Sequence, residues 1–132
     1  MPHNETADLN EIRTQSFRSL MHTQDSLELI QKRLISKEAI LIDIREQDEW
    51  DEGHLESALL MPLSKLEELN DKEGFATEIA SHLSKDKIIY CHCAAGVRVM
   101  YAYAILHKLG YDVRPLKAGY GTLLLADFQK AE

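Results

Sequence analysis

Little in this chain would let it enter a bilayer: in 132 residues no apolar run approaches the roughly 20 that a membrane-spanning helix needs. Positive charge is scarce as well. Fifteen Lys and Arg stand against 22 Asp and Glu, for a formal charge of −7, and no basic stripe is interleaved with aromatics, so nucleic acid is not expected as a partner. The opening MPHNETADLNEIRTQ lacks the basic start and apolar stretch of a secretory leader, which makes the cytoplasm the expected compartment. Cysteine is limited to Cys91 and Cys93. Two positions apart on a strand, their side chains point the same way with α-carbons near the upper limit for bridging, so both are expected as thiols. Internal repeats and low-complexity segments are absent.

What is present suits one soluble domain. An apolar fraction of 45% beside 28% charged residues supports a core that needs neither disulfide nor metal. Residues 1–16 read as a polar N-terminal extension and 17–132 as the domain. Within it, short apolar runs alternate with amphipathic stretches, the pattern of a parallel sheet with crossover helices. FRSLM (17–21) reads as a short first strand. Asp25 and Glu28 resemble a capping box opening a helix near 25–35. AILIDIR (39–45), almost continuously apolar, predicts a central strand covered on both faces. A polar connection through Gly53 leads to a strand at 58–62 that Pro62 ends, and helical patches follow at 64–70 and 75–84. KIIYCH (87–92) is a strand, RVMYAYAILHKL a helix with Val99, Tyr103 and Leu106 inward and Gly110 just past its end. YDVRPL (111–116) supplies a fifth strand, KAGYG a turn, and TLLLADFQKAE a closing helix. The fold class is therefore α/β, an open, twisted, parallel five-stranded sheet with helices on both faces.

In such sheets ligands sit beyond the carboxyl ends of the strands, where a tight loop entering a helix aims backbone N–H groups at one point. A cysteine that begins such a loop has its thiolate stabilised by those amides and becomes a nucleophile. Cys91 falls inside its strand, where a covering helix buries it; Cys93 falls at the strand end, with Gly96 and Arg98 at +3 and +5. Position thus assigns Cys93 as nucleophile and Cys91 as a small core residue.

The stretch CAAGVR at 93–98 is similar to the C-x-x-G-x-R active loop of the rhodanese family of sulfurtransferases. LIDIREQDEWDEGHLESALLMPL at 41–63 resembles that family's second signature, and GY pairs echo it at 110–121. The resemblance spans about residues 17–125. It implies that Cys93 carries sulfur as a persulfide, that Ala94, Ala95, Gly96, Val97 and Arg98 form the substrate-binding loop, and that Asp43, Arg45, Glu46, Gly53 and His54 support it. It further implies a small-molecule sulfur donor, a thiol or cyanide acceptor, a protein persulfide as a further donor, and no metal or organic cofactor. The family's late glycine pair and tryptophan appear here as AGYGTLL, with Ala118 for the first glycine and Leu123 for the tryptophan, a change in the wall beside the loop.

Each residue also has a plainer reading. Arg98 either pairs with a carboxylate such as Asp43 or Glu46 to shape the loop or contacts substrate, and the two roles are compatible. Arg45 and Glu49, four apart, read as a surface pair. Asp43 reads as a loop-fixing acceptor, His54 as a turn residue bonding a backbone carbonyl, and Trp50 as an anchor on the sheet. His92 alternates to the face opposite Cys93 and is not expected to activate it. Cys-His-Cys has the wrong spacing for structural zinc.

Other functions compete. Cysteine phosphatases use a loop one residue longer between cysteine and arginine, an arsenate reductase would need Cys91 to resolve an intermediate from poor geometry, and a non-catalytic binding or redox-sensing module would use the same fold. The uncharged AAGV favours a persulfide over doubly charged thiosulfate as donor.

Overall fold

Residues 22–132 are described by a computed structural model; the expected extension at 1–16, the strand at 17–21 and the boundary between them lie outside the described residues. Among the described residues four strands, β1 (Ala39–Asp43), β2 (Ala58–Leu60), β3 (Ile88–His92) and β4 (Asp112–Pro115), form one sheet in the order β2-β1-β3-β4. Every pairing is parallel. The described helices are α1 (Leu27–Ile35), α2 (Gln47–Glu52), α3 (Leu63–Leu69), α4 (Phe75–Ala80), α5 (Arg98–Lys108) and α6 (Tyr120–Leu125). Thr23 donates its N–H to the Pro115 carbonyl at 2.8 Å, which fastens the incoming chain at the end of β4.

The continuous apolar run of β1 is explained by two cores. Ile42 and Ile44 pack on one side with Leu66 of α3, Phe75 and Ile79 of α4, and Val99 and Leu106 of α5. Ala39 and Leu41 pack on the other with Ile30 of α1 and Leu123 of α6. Alternation on β3 sends Tyr90 to the second core and Cys91 to the first, as strand geometry requires, and Cys93, just past the strand end, joins the first as well.

Connections from β1 run outward to β2, and from β3 outward to β4. The chain therefore changes direction between β1 and β3, at whose carboxyl ends sheets of this kind hold their ligands, and there Asp43 is in register with His92.

Several local expectations need correction. Asp25 does not cap α1: Ser26 does, its Oγ accepting from Leu29 N–H. The Asp25 carboxylate instead gathers Arg33 at 3.1 Å, the Tyr90 hydroxyl at 2.8 Å and Arg114 at 2.9 Å. The connection before Gly53 is helical, because the Glu49 carboxylate reaches back to accept the Glu46 N–H at 3.1 Å, the return half of a capping box. The closing helix is shorter than its sequence suggests. It ends at Leu125, Asp127 turns with φ 68°, and Phe128 is driven into the second core. The tail then runs antiparallel beside Leu55, with Glu56 N–H on the Gln129 carbonyl and Ala131 N–H on the His54 carbonyl, both at 2.9 Å.

Candidate active site

Cys93 is the first residue beyond β3, and the chain from there to Arg98, which opens α5, closes a tight ring. The thiol lies at its base, 1% exposed, and accepts the Gly96 N–H at 3.2 Å. Ala94, Ala95 and Val97 are exposed around it. Gly96 makes the ring close: its φ is +77°, where a side chain is strained, and a Cβ there would sit 2.6 Å from the Lys117 carbonyl oxygen. The loop is backed along its length by the segment before α6. The Tyr120 N–H donates to the Cys93 carbonyl at 2.9 Å, and Gly119 passes so near Ala94 that a Cβ would lie 1.8 Å from its carbonyl oxygen.

Arg98 turns from the loop to α2. Both of its terminal nitrogens bond the Glu49 carboxylate, at 2.6 and 2.8 Å. The carboxylate partner is thus neither Asp43 nor Glu46, and Glu49 does not pair with Arg45. Glu46 is occupied by the Ser64 hydroxyl and N–H. The Arg98 hydrogen bonds hold the Glu49 carboxyl at about 2, against burial, which acts upward; the Glu46 N–H assists. The same bonds raise the Arg98 guanidinium, with smaller Coulomb help from Glu49, Cys93 and Glu46. Because Glu49 is depressed in the folded state, it stabilises fully above its unfolded value of 4.5, and that support fades as pH falls toward 2. Thermal melts should therefore show wild type more stable than Glu49→Gln above pH 5, with the gap narrowing between pH 4.5 and 2; the half-exposed pair keeps the effect modest. A gap independent of pH would contradict this.

Beneath the loop, at the end of β1, Asp43 is fully buried and accepts from the Arg45 N–H at 3.0 Å and from the Arg45 guanidinium at 2.8–3.1 Å. Arg45 also donates to the Gly53 carbonyl at 2.8 Å and lies 4.2 Å over the Tyr120 ring. It is buried, not part of a surface pair, because a carboxylate, a carbonyl and an aromatic face replace its water. His54 bonds the Trp50 carbonyl through Nδ1 at 2.9 Å, as a turn residue would, and Trp50 stacks on the His54 ring at 3.6 Å, outside both cores.

His92 lies on the opposite face, 3.6 Å from Asp43. Burial pushes its imidazole below the usual value in spite of that carboxylate. Burial likewise drives the Cys91 thiol far upward, and the charge of Cys93 adds to it, so Cys91 remains a neutral core thiol. Among the described residues no group of three or more His, Cys, Asp or Glu side chains is placed to hold a metal ion, and no helix is long and apolar enough to cross a membrane.

This geometry has relatives. The family model of the rhodanese-like domain matches residues 26–123. The chain belongs to the rhodanese-like domain family. It is 37% identical over 78 residues to a mitochondrial protein of Schizosaccharomyces pombe that bears the name of a thiosulfate sulfurtransferase, covering 57% of this chain and 55% of that one. A thiosulfate sulfurtransferase of Coxiella burnetii is 26% identical over 107 residues, 80% of this chain and 86% of its own. The solved structure of a human single-domain sulfurtransferase superposes with a TM-score of 0.63 at 27% identity, over 76% of this chain and 94% of that one. This chain spans about half the length of the yeast relative and less than a fifth of others.

The rhodanese-like fold accounts for the parallel sheet and for the placement of the loop at its crevice. Two supports of that loop escape sequence inspection. Glu49 carries a signal of its own, a carboxylate three residues after the start of a helix; Gly119 stands at the second glycine of the late pair, but only its contact with Ala94 shows what that glycine does.

Proposed function

We propose that this loop is the sulfur-carrying centre of a sulfurtransferase. The observation that carries the reading is the Gly96 N–H held 3.2 Å from Cys93 Sγ in a ring too small and too uncharged to favour a tetrahedral phosphate. Arg98, which a phosphate would need as a clamp, is taken by Glu49. The names of the relatives support the same activity.

In the first step the Cys93 thiolate attacks the outer sulfur of thiosulfate or of a low-molecular-weight or protein persulfide. A sulfur–sulfur bond forms to Cys93 as the donor's breaks, and its electron pair departs on sulfite or on the donor thiolate. In the second step cyanide or an acceptor thiolate attacks the outer sulfur of the Cys93 persulfide, and the electron pair returns to Cys93. The reaction needs no outside oxidant. The sulfur that receives charge is stabilised by backbone N–H groups of residues 94–98, in the manner of an oxyanion hole.

The test is intact mass without reductant. Reduced protein, exposed to thiosulfate and freed of excess, should gain one sulfur atom in wild type and Cys91→Ser and none in Cys93→Ser, and cyanide should strip it. Glutathione persulfide should give the higher kcat/KM, because the loop adds no free cation to hold the two charges that thiosulfate concentrates on one small ion, while α2 presents Asp48, Asp51 and Glu52 to solvent. A chain that gains no sulfur from either donor would sink the proposal.

A further inference from the structure

We infer that His22 is a positioning residue of the sulfur loop, an inference that rests on the function proposed above. Its Nε2 lies 2.7 Å from the Gly96 carbonyl oxygen, although 74 positions separate the two in the chain. A carbonyl only accepts, so Nε2 carries the proton and donates it. The imidazole is delivered by anchored backbone: the next residue, Thr23, gives its N–H to Pro115 and accepts the Asp25 N–H on its hydroxyl at 3.1 Å.

Gly96 is the joint of the ring. It has no Cβ and sits at φ +77°, so the peptide that follows it is the one most free to turn over. Its own N–H is already committed to Cys93 Sγ. The next peptide unit is planar and trans, which makes its carbonyl and its N–H point in opposite directions. With the carbonyl held on His22, the Val97 N–H is turned away from His22 and kept among the amides available to a charged sulfur. His22 touches no reacting atom; it fixes one peptide whose opposite end serves the chemistry. The residue belongs to neither signature of the sequence, and only the approach of the entering chain to the loop reveals it.

The experiment compares full-length wild type, His22→Ala and His22→Gln. The glutamine amide nitrogen can reach the same carbonyl and donate. Losing one such bond corresponds to about a tenfold fall in rate, and His22→Ala should show it as a lower first-order rate of sulfur uptake from saturating donor, with the donor KM little changed. His22→Gln should recover most of the loss. The Val97 amide resonance should move and its hydrogen exchange quicken in His22→Ala, and both should return toward wild type in His22→Gln. Wild-type kinetics and Val97 resonance in His22→Ala, or equal slowing in both variants, would overturn the inference. Should wild type take up no sulfur, the proposed function falls, and the Val97 amide still decides whether His22 holds the peptide.

Discussion

Gly119→Ala is expected to displace the loop that begins at Cys93 while leaving most of the fold in place. The backbone of Gly119 has φ −88° and ψ 180°, a conformation alanine adopts without strain, so the whole effect is spatial. The added Cβ would be 1.8 Å from the Ala94 carbonyl oxygen and 2.5 Å from its carbon. These are backbone atoms and cannot rotate aside. Either α6 or the loop must shift by an ångström or more, and a misplacement of that size costs about a hundredfold in rate. Overpacking of this kind costs about 1–3 kcal/mol, or roughly 5–10 °C in melting temperature for a domain of this size. The control lies two residues on: a Cβ on Gly121 meets nothing within 4 Å, and because it lies inside α6 the Gly121→Ala change should stabilise by about 0.5 kcal/mol. Melting curves and kcat/KM for the pair decide the matter. A Gly119→Ala protein with wild-type turnover would show that the contact between 119 and 94 does not set the loop.

Asp43→Ala should have the larger effect on stability. Asp43 is fully buried and Arg45 is 5% exposed, and four of the donor contacts around this carboxylate come from Arg45. Removing the carboxylate strands a guanidinium that cannot give up its proton, at a cost of about 3–5 kcal/mol. That is a large part of the 5–15 kcal/mol typical of a whole domain. The double variant Asp43→Leu with Arg45→Met removes both charges and keeps apolar volume, so it should recover much of the loss. Urea unfolding of wild type, the single variant and the double variant measures this directly. If the single variant unfolds at the wild-type midpoint, the pair is not what holds the end of β1.

The sequence made Cys93, Gly96 and Asp43 readable because each breaks a local rule: a cysteine at a strand end, a glycine where a helix should start, a carboxylate in an apolar strand. Those departures survive without any knowledge of neighbours. The sequence points Arg98 at Asp43 or Glu46 and leaves Glu49 to Arg45, because the true pairing depends on where a six-residue helix points, and helix α2 is too acidic and too short to show a face. Arg45 reads as surface for the same reason: nothing local says that the Tyr120 ring and the Gly53 carbonyl come to cover it. The sequence overextends the closing helix because LLLADF fits a helix by composition, whereas Phe128 gains more by entering the core than by continuing a turn.

The segment that backs the loop is made after the loop itself. Until Lys117, Gly119 and Tyr120 have left the ribosome, Cys93 has neither the wall that shapes its ring nor the amide that holds its carbonyl. The parallel pairing of β3 with β4 must also await the crossover through α5. Both thiols of a nascent chain are therefore open to oxidants that the finished fold keeps from Cys91 altogether, and that protection begins only once the helices have docked on β3.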